Sequence, residues 1–96
     1  MKALLVIDML NDFVREDGAL PVPDAMKLVP GINAQIDRFH ENGWSVIFIC
    51  DSHDEDDLEF KIWPKHSVLG TKGAEVVPEL HKSKEDPIVN KKRYSA

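Results

Sequence analysis

The sequence holds a single cysteine, Cys50, so no internal disulfide can form. That usage suits a reducing compartment, and a cytoplasmic location is expected. No apolar run approaches the ~20 residues of a membrane-spanning helix. The opening residues, Met1 to Asp8, turn acidic too soon to read as a secretory signal. Positive charge is scarce: 12 Lys and Arg against 17 Asp and Glu leave a net charge of −5. Nucleic acid and anionic membrane surfaces both require a basic footprint, so neither is expected as a partner. A glycine-rich phosphate loop is also missing, since Gly70-Thr71-Lys72-Gly73 lacks the spacing for one. The chain has no internal repeat, low-complexity tract or linker. Its 96 residues, 43% hydrophobic and 30% charged, fit one globular domain over 1–96 with one modest core.

Two short apolar runs stand out. Ala3 to Ile7 is closed by Asp8, and Val46 to Cys50 is closed by Asp51. Neither alternates, which predicts strands buried on both faces. Between them, Val29, Ile32, Ile36 and Phe39 recur at helical spacing. Pro30 suits the first turn of that helix, and Asn42-Gly43 marks its stop. Ala3 to Asp51 therefore reads as a strand–helix–strand unit with a right-handed crossover. Pro87 to Asn90 is a third, weaker strand candidate. The long stretch between Asp51 and Pro87 shows no sustained period, yet it carries Leu58, Phe60, Ile62, Trp63, Val68 and Leu69. Loops beyond ~12–15 residues are usually functional or disordered. The apolar content favours a folded site loop, with a short helical turn near Ala74 to Leu80.

Ligands of open α/β sheets bind outside the carboxyl ends of the parallel strands. Asp8 closes the first strand, Asp51 the second, and Lys91 and Lys92 the third. Two carboxylates and an amine are thus expected on one edge, although Asp8 also suits a turn and Lys91-Lys92-Arg93 a solvated charge run. Asp51 and His53, two apart at a strand end, point to the same side. With Glu59 and His66 they form an Asp, His, Glu, His set suited to zinc, manganese or iron. The alternative is an exposed acidic loop, Asp54 to Asp57, in which two histidines happen to fall. A calcium loop starting at Asp51 fits worse, because Asp56 stands where glycine is needed and Ile62 where a bidentate glutamate belongs. Cys50 ends an apolar run, which makes it a structural residue. The order Asp8, Asp51, Lys91 also mimics a phospho-receiver domain, but the acidic pair and the intervening strand–helix units of that fold are lacking.

Four stretches carry a family resemblance. They are Leu4 to Phe13 with its D-x-x-x-D-F continuation, Gly18-Ala19-Leu20-Pro21-Val22-Pro23, the Asp51 to Glu75 loop, and Asn90-Lys91-Lys92-Arg93-Tyr94-Ser95-Ala96. Taken together, the chain resembles the N-terminal half of an isochorismatase-like cysteine hydrolase, on the branch containing nicotinamidase and pyrazinamidase. The resemblance implies a three-layer α/β/α fold with a parallel sheet, present in its N-terminal portion only. It further implies Asp8 as catalytic base and Lys91 as the triad lysine. Asp51, His53 and His66 match metal ligands, Glu59 matches a fourth ligand of some members, and Phe13 and Trp63 match the walls of the substrate pocket. The implied chemistry is hydrolysis of a small amide through a thioester. The implied partners are the amide, a C-terminal half carrying the nucleophilic cysteine, and further copies in a homo-oligomer. Cys50 aligns with no catalytic position, so the 96 residues alone are expected to be inactive.

Overall fold

The computed structural model of the chain describes residues 2–92; Arg93 to Ala96, which complete the basic motif after Lys91, lie outside the described residues. Three strands form one parallel sheet in the order β1 (Ala3–Ile7), β2 (Ser45–Asp51), β3 (Ile88–Lys91). Register runs from Ala3 opposite Ser45 to Ile7 opposite Ile49, and from Phe48 opposite Ile88 to Asp51 opposite Lys91. The expected α/β class with a parallel sheet is therefore present. All three strands run the same way, so their carboxyl ends, Asp8, Asp51 and Lys91, arrive at one edge.

The crossover from β1 to β2 contains α1 (Asn11–Val14), a 3-10 turn at Ala25–Leu28, and α2 (Val29–Glu41). Val29, Ile36 and Phe39 are buried on α2, as their spacing predicts, and Pro30 lies in its first turn, where no backbone donor is lost. The Asn42 side-chain amide donates to the Arg38 carbonyl at 2.7 Å, and Gly43 takes a φ of +69°, which glycine adopts without penalty. The core joins Val6 of β1, Ile36 and Phe39 of α2, and Val46, Phe48 and Cys50 of β2, with Leu10 and Leu80.

Two expectations are corrected. β1 is not buried on both faces: Leu4 and Val6 pack into the core, while Leu5 and Ile7 are 53% and 55% exposed. Strand side chains alternate, so one set meets the core and the other faces a side that no described element covers. Ile88 and Val89 of β3 are exposed too. The helical turn expected near Ala74 to Leu80 lies earlier, at Lys72–Ala74. Beyond it the backbone extends and pairs with the segment after β1. Asn11 N–H donates to the Glu75 carbonyl at 3.0 Å, and Val77 N–H to the Met9 carbonyl at 2.9 Å. This bridge satisfies backbone groups beside the buried Leu10 and Val77, which a helix there would leave to other partners.

Phe48 is 1% exposed at the centre of the core. Phe48→Ala is expected to lower stability by about 3–5 kcal/mol, whereas Leu5→Thr should change it by about 0.5 kcal/mol or less in this chain. Urea unfolding of the two variants checks the contrast.

Candidate metal and catalytic site

Asp8 leaves β1 with a φ of +58°, a left-handed conformation that aspartate tolerates better than most residues. Its amide still donates to the Ile49 carbonyl at 2.8 Å. The turn swings the carboxylate across the strand ends. One oxygen accepts the Asp51 amide at 2.9 Å, and the other lies 3.1 Å from the Lys91 ammonium. Lys91 Nζ is also 3.8 Å from Asp51, and its side chain is only 7% exposed. Lys91 is thus a buried partner of two carboxylates rather than part of a solvated run. Lys92 does behave as surface and pairs with Asp54 at 3.1 Å.

Next to this trio sit the two histidines. His53 is fully buried, with Nε2 2.8 Å from Asp51 Oδ2 and Nδ1 3.0 Å from Asp57 Oδ2. Burial opposes protonation of this imidazole, but the carboxylates of Asp57, Asp51 and Glu59 outweigh it and hold the pKa above the ordinary histidine value. His66 Nδ1 donates to the Pro64 carbonyl at 2.6 Å, which leaves Nε2 to face Asp51 at 3.5 Å and Glu59 at 4.0 Å. One ligand atom from each of Asp51, His53 and His66 lies within 4.8 Å of the others. Glu59 Oε1 is 4.0 Å from the Nε2 atoms of both histidines. Two imidazoles and two carboxylates, converging and largely buried, fit a borderline divalent ion such as zinc.

No long helix or strand holds this loop; it is pinned by backbone and carboxylate bonds. His53 N–H donates to the Ser67 carbonyl at 2.9 Å, and Leu69 N–H returns to the His53 carbonyl at 2.8 Å. Asp12, in α1, accepts the Ser67 amide at 2.8 Å and the Ala19 amide at 3.0 Å. Gly73 lies against that carboxylate so closely that a Cβ there would overlap it. Asp8, Asp51, Lys91, Glu59, His66, Phe13, Trp63 and Leu20 together line a cleft of about 180 Å³. Of the residues that the family resemblance assigns to the site, all but the fully buried His53 border that cleft. Phe13 stands over His66 with ring centroids 5.5 Å apart.

Two participants escape a sequence reading. Asp57 belongs to a run of four acids, of which Asp54, Glu55 and Asp56 are exposed. Asp57 alone turns inward, its side chain 9% exposed. Its one visible signal is the spacing Asp-x-Glu, since Asp57 accepts the Glu59 amide at 2.9 Å. Asp12 was visible only as part of the D-x-x-x-D-F stretch, with no hint that it ties down Ser67 across the fold.

Cys50 plays no part in the cleft's lining. Burial, and then the nearby Asp8 carboxylate, push its thiol from 9.0 up to about 11, against a smaller opposing pull from Lys82 and Lys91. A thiol held in that form is a poor nucleophile at neutral pH.

The fold and the site define an α/β protein with a carboxylate–lysine pair beside a histidine–carboxylate cluster that could hold a metal ion. The chain belongs to the isochorismatase family, whose domain matches residues 2–96. An uncharacterised isochorismatase family protein, PncA, from Bacillus subtilis is 35% identical over 106 residues, covering 99% of this chain and 58% of that protein. N-carbamoylsarcosine amidase from Thermoplasma acidophilum superposes with a TM-score of 0.87 at 42% identity, over 99% of this chain and 54% of that one. Pyrazinamidase of Pyrococcus horikoshii, solved in complex with zinc, gives 0.86 at 38% identity, over 93% of this chain and 50% of that one. The chain spans about half the length of the curated relatives it matches. Family membership sets the phospho-receiver reading aside. Among the described residues, no helix is long and apolar enough to cross a membrane.

Iodoacetamide at about pH 8 is expected to spare Cys50 in the folded chain and to alkylate it in urea, as read by mass spectrometry. The raised thiol pKa also has a signed consequence. Below pH 9.0 the thiol is neutral in both states and costs nothing. As pH rises from 9.0 towards about 11 the unfolded chain ionises first, so stability falls across that window. Cys50→Ser should flatten that part of the pH profile.

Proposed function

We propose that this chain is the N-terminal part of a cysteine amidohydrolase that converts a small amide, nicotinamide or a near relative, to the acid and ammonia. Asp8 takes the proton of the nucleophilic thiol, and Lys91 stabilises the charge that develops beside it. The thiolate adds to the amide carbonyl, ammonia leaves with the proton returned from Asp8, and water hydrolyses the resulting thioester. Backbone N–H groups around the nucleophile hold the oxyanion. Asp51, His53, His66 and Glu59 hold a divalent ion, zinc foremost, with manganese or iron as alternatives. That ion, when bound, orients water and the ring nitrogen of the substrate. Phe13 and Trp63 wall the ring.

The observation that supports this reading most is the Asp8–Lys91 pair at 3.1 Å, set against Asp51 at the ends of three adjacent strands. Amidases among the similar structures, one of them in complex with zinc, favour amide chemistry over other hydrolyses. The nucleophile is assigned to a C-terminal half that this 96-residue sequence does not contain. Exposed Leu5 and Ile7 on β1 give such a half, within one domain, an apolar face to cover. A cytoplasmic, homo-oligomeric enzyme is part of the same proposal.

Joined to a C-terminal segment bearing the cysteine and supplied with zinc, the chain should release ammonia from nicotinamide; alone it should not. In the joined protein, Asp8→Asn and Lys91→Met are each expected to lower kcat by about 10²-fold or more. Failure of the complete, metal-loaded protein to hydrolyse nicotinamide, pyrazinamide or an N-carbamoyl amide would end the catalytic assignment. A second reading, a metal-binding module without turnover, is favoured by one fact: the donor set is complete in this chain while its only thiol is buried. Metal analysis of the purified chain beside a His53→Ala, His66→Ala double variant decides it, because metal in neither removes the module.

A further inference from the structure

Beside the cluster of Asp51, His53 and His66, the carboxylate of Asp57 meets both His53 and Glu59. We propose that Asp57 is a positioning residue of the metal site, whose single carboxylate sets the tautomer of His53 and the placement of Glu59. The inference rests on the metal reading above.

Asp57 Oδ2 lies 3.0 Å from His53 Nδ1, and Oδ1 accepts the Glu59 amide at 2.9 Å. Each ring nitrogen of His53 faces a carboxylate, Nε2 that of Asp51 at 2.8 Å and Nδ1 that of Asp57 at 3.0 Å, so Asp57 is the group that draws the proton of a neutral ring towards Nδ1 against the pull of Asp51. The lone pair then sits on Nε2, on the side where Asp51, His66 and Glu59 converge. The second oxygen anchors the start of the 3-10 turn Leu58–Lys61, which fixes where the Glu59 backbone begins and how far its carboxylate reaches. A ligating histidine commonly owes its orientation to a carboxylate on its other nitrogen, and loss of that partner typically costs about 10–100-fold in metal affinity.

A rival arrangement exists, because His53, Asp57 and Glu59 also bring one ligand atom each within 4.8 Å of one another. An ion there would take Asp57 as a direct ligand. That arrangement offers one imidazole instead of two, and with Asp57 Oδ2 as ligand atom it gives up the contact with His53 Nδ1. The arrangement around Asp51, His53 and His66 keeps that contact.

The test uses the 96-residue chain, zinc alone, and competition with a chromophoric chelator. Thermal unfolding and the imidazole ¹⁵N shifts of His53, at a pH where the ring is neutral, are recorded in parallel. Asp57→Ala is expected to weaken zinc binding about 10–100-fold and to shift the neutral His53 ring of the metal-free chain towards Nε2–H, where Asp51 remains as acceptor. Asp57→Asn should fall between, since its one acceptor oxygen can serve His53 or Glu59 but not both. Should Asp57→Ala lose its cooperative unfolding transition, the asparagine variant, which keeps the shape, carries the test. His66→Ala, which removes a ligand, should weaken binding further than Asp57→Ala. Wild-type zinc affinity and an unchanged tautomer balance in the Asp57 variants would overturn the proposal and leave the metal reading intact. Loss of binding in Asp57→Ala with retention in His66→Ala would make Asp57 a ligand and overturn it as well. No zinc binding by the unaltered chain would end the metal reading and the proposal together.

Discussion

The carboxylate of Asp8 is the constraint on which the site depends. Parallel pairing delivers three strand ends to one edge, but pairing alone does not fix what lies beyond the last ladder bond. Asp8 does so by turning through a left-handed φ and accepting the Asp51 amide with one oxygen. Its other oxygen meets Lys91 from the far strand. The two interactions tie β1 to β2 and to β3 at the point where side chains change from packing to chemistry. Because Asp51 carries both the amide that Asp8 accepts and a carboxylate of the proposed metal cradle, any movement of Asp8 is passed to His53 and His66. The proposed base and the proposed metal site are mechanically one unit.

The regular elements were legible because their signals are local. Unbroken apolar runs marked β1 and β2, and the spacing of Val29, Ile32, Ile36 and Phe39 marked α2. Asp8, Asp51 and Lys91 could be placed at one edge from strand direction alone. The side facing away from α2 was not legible in the same way. An apolar run reads as doubly buried whether or not the second cover is part of the same stretch of sequence, and Leu5 and Ile7 meet none among the described residues. Asp57 and Asp12 were obscured for another reason. Each lies among similar residues, and its meaning comes from a partner's backbone amide: two residues away for Asp57, and at Ser67 for Asp12. Composition hides such bonds, since an acidic run looks the same whether one member faces inward or none does.

The site loop shows how a segment with little regular structure becomes rigid enough to hold ligands. Its order comes from pairing its backbone with itself and with the turn after β1. The His53 amide and carbonyl are both spent on Ser67 and Leu69, so the first histidine is locked to the neighbourhood of the second. Asp12 then fixes Ser67 from outside the loop. Each buried backbone group satisfied in this way removes a reason for the loop to rearrange.

Charge balance gives the cradle a further physical logic. Three carboxylates, Asp8, Asp51 and Glu59, line the cleft against one ammonium, Lys91. Uncompensated charge in a partly buried site is costly, and neutral imidazoles do nothing to offset it. The raised pKa of His53 is the metal-free chain's partial answer, since a proton between Nε2 and Asp51 supplies positive charge where it is lacking. A divalent ion in the same place supplies more and frees His53 to remain neutral, with its proton on the Asp57 side. Proton and metal therefore compete for one position. The carboxylates that raise the His53 pKa are the same ones that make the position attractive to a cation, so acid conditions are expected to work against an ion bound there.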